Sequence, residues 1–65
     1  TNLRWSVKVG DLVADKEYPN ETGLIVYKDE YGDVNAYGVI TPFGKFQYFS
    51  KQYIENECEL ISEGR

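Results

Sequence analysis

The chain has 65 residues, seven of them basic and eleven acidic, with a net charge of −4, and it is long enough for a single hydrophobic core. Histidine is absent and cysteine occurs once, at Cys58, which rules out an internal disulfide and removes the commonest zinc ligand and the commonest general base near neutral pH. The basic residues stand singly and the longest apolar run is four residues, so the pattern argues against a nucleic-acid surface and predicts no membrane span or signal peptide.

Stability must then come from apolar packing, which 42% hydrophobic and 15% aromatic residues can supply, since aromatic side chains bury the most area per residue. Trp5, Val7 and Val9 alternate with Ser6 and Lys8, the period-2 mark of an extended segment, so residues 1–9 read as an N-terminal arm or extra strand. Gly10-Asp11 interrupts the alternation, and Leu12-Val13-Ala14 forms a first core strand. Asp15 to Thr22 is polar, with Tyr18-Pro19-Asn20 at its centre, and reads as a long loop. Gly23 to Tyr27 is β-branched and aromatic and predicts a second strand. A turn over Asp29 to Asp33 precedes a third strand from Val34 to Thr41. Pro42-Phe43-Gly44 is a tight turn in which proline presets φ and glycine supplies a positive φ.

Lys45 to Ser50 predicts a fourth strand with Phe46 and Tyr48 on one face and Gln47 and Phe49 on the other. Lys51 to Ile54 suits a single 3₁₀ turn. A longer helix over Ser50 to Glu59 is the competing assignment, because Tyr53, Ile54 and Cys58 lie at helical spacing. Cys58 to Ile61 closes as a fifth strand. Five short strands with turn signals every eight to twelve residues predict one all-β domain over 1–65, a small barrel or sandwich.

This order of strands and turns is similar to that of SH3-like barrels. Val9-Gly10-Asp11-Leu12-Val13 followed by Gly23-Leu24-Ile25-Val26 resembles the opening of KOW and related SH3-like families. Ser50-Lys51-Gln52-Tyr53-Ile54 is similar to the 3₁₀ segment of true SH3 domains. Lys8–Val13, Gly23–Val26 and Glu59–Ser62 together resemble short SH3-like proteins of tailed bacteriophages. The resemblance implies a five-stranded SH3-like barrel with a 3₁₀ turn before the last strand, and a place in the host cytoplasm or the virion. Two differences stand out: Val34 occupies the place of the SH3 tryptophan, and the chain is acidic where RNA-binding KOW domains are basic.

Each candidate functional residue has a plain structural alternative. Gly10-Asp11 reads as a turn, with a backbone only glycine adopts easily and a carboxylate bonded to nearby N–H groups. On an SH3-like frame Tyr18, Tyr31 and Tyr53 would surround one groove able to stack on an extended partner segment. The default is that Tyr18 and Tyr53 lid a thin core and Tyr31 is simply exposed. Trp5 on its arm would plug an open barrel end or pair with a neighbouring subunit. Glu55, Glu57, Glu59 and Glu63 read as a solvated acidic face that discourages edge-to-edge aggregation of the last strand. Cys58 lacks a histidine to activate it and reads as a small buried hydrophobe.

The expected function is a non-enzymatic module without cofactor or metal that binds a protein, a host factor or virion component, through an aromatic-lined face. A self-associating structural subunit is the alternative, and nucleic-acid binding is a distant third.

Overall fold

The computed structural model describes residues 7–29 and 36–64. Trp5 and Tyr31 lie outside the described residues, as does the Val34 start expected for the third strand. The elements run β1 (Leu12–Asp15), β2 (Thr22–Lys28), β3 (Ala36–Ile40), β4 (Phe46–Ser50), α1 (Lys51–Glu57) and β5 (Cys58–Ser62). All five strands belong to one antiparallel sheet in the order β4-β3-β2-β1-β5. The fold is all-β, and the sheet is open: β4 and β5 form its two edges and do not pair with each other.

Two register shifts bend the sheet, one between Ile25 and Tyr27 where β2 meets β3, the other between Leu12 and Val13 where β1 meets β5. An extra residue on one strand of a pair kinks that strand and increases its twist. The inner face collects Val7, Val13, Ile25, Tyr37, Val39, Ile54 and Cys58 into one buried cluster, with Phe49, Tyr53 and Leu60 packed against it. Each such aliphatic side chain removed from water contributes about 1.5–3 kcal/mol.

The opposite face is less covered. Tyr27 and Tyr48 meet edge to face at 6.2 Å, and Phe46 and Tyr48 at 4.9 Å. Gly38 makes this possible, because a Cβ there would lie 2.7 Å from the Phe46 ring and 2.9 Å from Tyr27 Cβ. All three aromatics stay exposed. The alternation expected along the fourth strand holds, Phe46 and Tyr48 facing out while Gln47 and Phe49 are half-buried.

One expectation is revised. Residues 51–57 form an α-helix rather than a single 3₁₀ turn. Ser50 has the extended backbone of an N-cap and its Oγ accepts from Tyr53 N at 3.0 Å, satisfying one of the first-turn donors that a helix leaves open. Ile54 is the buried anchor of the helix, and Cys58 and Glu59, which the longer helix would have included, belong to β5. Of the N-terminal segment read as an arm or extra strand, only residues 7–9 are described, and they are not in a strand. Asp11 N donates to Lys8 O at 3.0 Å, and this turn sends Val7 into the core while Val9 stays 57% exposed.

The turn is clasped by Asp11, whose side chain is 1% exposed. Its Oδ2 accepts from Lys8 N at 2.9 Å and its Oδ1 from Gly64 N at 2.8 Å, with the Lys8 ammonium 3.8 Å away. Burial would push this carboxyl up, but the two N–H donors and the ammonium together outweigh it and hold the carboxyl below its ordinary range. Gly10 at φ +102° lets the chain turn there, and Gly64 lies so close that a Cβ on it would be 2.5 Å from the Gly10 carbonyl carbon.

Candidate functional site

The loop between β1 and β2 is organised by one residue. Asp15 Oδ1 accepts from Glu17 N at 2.8 Å and from Tyr18 N at 3.2 Å, the side-chain-to-backbone pattern that makes aspartate a turn former. Glu21 N then donates to Tyr18 O at 2.8 Å and Asp15 N to Glu21 O at 3.1 Å, closing a turn with Pro19 at its second position. Lys16 ties the loop to the end of α1, its backbone N donating to Glu57 O at 2.9 Å and its Nζ to Asn56 O at 3.1 Å. A cation is well placed there against the helix carbonyls.

A second loop joins β3 to β4. Gly44 N donates to Thr41 O at 2.9 Å, Lys45 N to Thr41 Oγ1 at 3.1 Å, and Gly44 sits at φ +85°. Pro42 and Gly44 act as their turn chemistry predicts. The result leaves Phe43 at the tip, 96% exposed.

Between these loops opens a cleft of about 360 Å³, within the size range of ligand sites. Val13, Val39, Ile54 and Cys58 are among its apolar lining, Phe49 and Tyr53 stand on the helix side, and Pro42 and Phe43 on the turn side. Gly23 at its edge lets β2 and β3 lie close, since a Cβ there would overlap Val39 Cγ1. The Phe49 and Tyr53 rings stack at 5.1 Å with 24° between their planes.

One polar link crosses this apolar wall. The Tyr53 hydroxyl donates to Asp15 Oδ2 at 2.6 Å. That bond is the main reason the Asp15 carboxyl is held below its usual range, with the Glu17 N–H adding to it. The same bond, reinforced by burial, pushes the Tyr53 hydroxyl far above its ordinary range. Asp15 thus spans the loop backbone at Tyr18 and the ring of Tyr53. Burial pushes the Cys58 thiol up, which suits an inert core residue. Among the described residues no group of three or more histidine, cysteine or carboxylate side chains is placed to hold a metal ion.

Of the four residues singled out in the sequence, two can be placed. Tyr53 stands in the cleft wall, half-buried. Tyr18 is 58% exposed on the neighbouring loop and is not part of the cleft lining; its backbone, not its ring, meets Asp15. Trp5 and Tyr31 are outside the described residues. Phe43 and Asp15 were not among the sequence candidates. Phe43 had a signal, a large aromatic at the second central position of a Pro-containing turn, where the core is out of reach. Asp15 had none, because its partner lies 38 residues away.

The chain matches no family model, no curated protein and no solved structure. No described helix is long and apolar enough to cross a membrane.

Proposed function

We propose that this chain is a non-enzymatic protein-binding module, with an SH3-like barrel as its frame, that takes an extended apolar segment of a partner protein into the cleft between its two loops. The observation that carries the reading is the cleft itself. It has an apolar floor, aromatic side chains on two opposed walls, and a fully exposed Phe43 at its rim. Aromatic anchors around a largely preformed apolar hollow are what peptide recognition uses. The β1–β2 loop is already fixed by four hydrogen bonds within it, two to the helix end and one to the Tyr53 hydroxyl, so little ordering entropy opposes binding.

The element order supports the SH3-like frame, with β5 returning after a helical segment to pair with β1. A nucleic-acid partner is disfavoured by the net charge of −4. An enzymatic role is disfavoured by the lack of histidine and by the buried, up-shifted thiol. In a phage setting the partner would be a host factor or a virion component.

The test is a panel of immobilised peptides probed with the wild type and with Phe43→Ala. Peptides with two or three apolar residues should be retained by the wild type. Phe43→Ala should weaken them by about tenfold or more with an unchanged urea midpoint, since this ring contributes almost nothing to the core. Equal retention by both proteins would remove the cleft from consideration.

A further inference from the structure

The two edges of the open sheet are unalike, and they match each other. β4 covers residues 46–50 and β5 covers residues 58–62. Lys45 and Lys51 bracket β4, while Glu57 and Glu63 bracket β5. Both brackets span six positions, and each has one end on α1, at Lys51 and at Glu57, and the other end just beyond the strand. All four side chains are exposed, and among the described residues none of them forms an ion pair. From Ala36 to Ile54 there are two lysines and no carboxylate, a net +2, so the rest of the chain carries −6.

The backbone of β4 is also prepared for a neighbour. Thr41 N donates to Lys45 O, so by antiparallel alternation Gln47 and Phe49 bond to β3 while the N–H and C=O groups of Phe46 and Tyr48 point away from the sheet. Among the described residues this edge has no pairing strand, and an edge of this kind is a template for another strand. The side chains agree: Phe46 and Tyr48 project from the outer face of β4, and Ile61 is 51% exposed on β5. Continuing the sheet from one molecule to the next would bring these apolar groups onto one surface.

We infer that this chain associates head to tail, the β4 edge of one copy pairing with the β5 edge of a second, with the lysine bracket facing the glutamate bracket. The charges also select this arrangement over its rivals, because β4 against β4 opposes lysines and β5 against β5 opposes glutamates. Such a contact is heterologous, so every joined pair still offers one edge of each kind, and growth ends only when a ring closes. The contact uses the outward main chain of the edge strands, whose neighbours Lys45, Gln47, Phe49 and Cys58 also line the cleft, whereas the rim residue Phe43 takes no part in it.

The experiment is sedimentation of the intact chain over a concentration series at low salt. The wild type should rise from one chain to about twice that mass or more, and added salt should shift the curve to higher concentration. A Lys45→Glu/Lys51→Glu variant and a Glu57→Lys/Glu63→Lys variant should each stay at one chain when alone. Mixed in equal amounts they should assemble, since each then meets an edge of opposite sign. Amide exchange at Tyr48 should slow in the assembled sample, which a charge contact away from the edge would not cause. A wild type that stays at one chain overturns the inference, as do charge variants that assemble alone as the wild type does, or a Tyr48 amide that exchanges equally fast in both states.

Discussion

Two aspartates mark the two ends of β1, and they do different work with the same chemistry. Asp11 precedes the strand, is buried, and spends its carboxylate on backbone N–H groups from Lys8 and Gly64. Asp15 ends the strand at the lip of the cleft, and divides its carboxylate between the loop backbone and the Tyr53 hydroxyl. A buried acceptor whose hydrogen bonds all go to main chain, with one lysine ammonium nearby, holds the fold together. An accessible one that also fixes an aromatic side chain lets the fold set the shape of a surface.

The sharpest way to break the comparison is at the buried end. Asp11→Ala leaves two main-chain N–H groups without an acceptor and should lower the unfolding free energy by about 3 kcal/mol, read from the urea midpoint at neutral pH. The carboxyl is held below its ordinary value of about 3.9, so its contribution is complete above that value and is lost as the pH falls through the lowered one. Asp11→Asn should therefore show a flatter decline of stability below about pH 4 than the wild type.

Gly64→Ala asks how tightly the other half of that clasp is built. Its Cβ would meet Gly10 backbone atoms at 2.5–2.7 Å, and backbone yields only by shifting. The expected loss is about 1–2 kcal/mol, again from the urea midpoint. The smallest effect belongs to the cleft end. Tyr53→Phe keeps the stack on Phe49 but removes the donor to Asp15, so its stability loss should be below that of Gly64→Ala. The Glu17 and Tyr18 amides should then exchange faster while the Gly64 amide does not change. Faster exchange at Gly64 as well would show that the two ends of β1 act as one unit.

Much of the local structure was legible in the sequence because its causes are local. Gly10-Asp11 turns where it must, since one residue supplies the positive φ and the next an acceptor within reach of Lys8 N. Phe46 to Phe49 alternate because neighbouring side chains on a strand point to opposite faces. The segment after Ser50 was harder. The same four residues, Lys51 to Ile54, suit a 3₁₀ turn or a helix, and what decides is the Ser50 cap together with the burial of Ile54. The candidate site was mostly not legible. Its key bond joins residues 15 and 53 and the Asp11 clasp joins residues 11 and 64, and no spacing rule reaches across such separations. Phe43 was visible as part of a turn, but its place on the rim follows only from where that turn ends up.

The Asp11–Gly64 clasp also bears on time as well as on stability. It joins residues 53 positions apart, and a contact at that separation costs loop entropy before it returns any stabilisation. Such a contact would form after the rate-limiting step of folding, with β1 already paired to β2. Weakening it should leave the folding rate nearly unchanged and speed unfolding. The clasp would then set how long each molecule stays folded once it has arrived, and a sheet whose two edge strands have no partner among the described residues has most to lose from frequent opening.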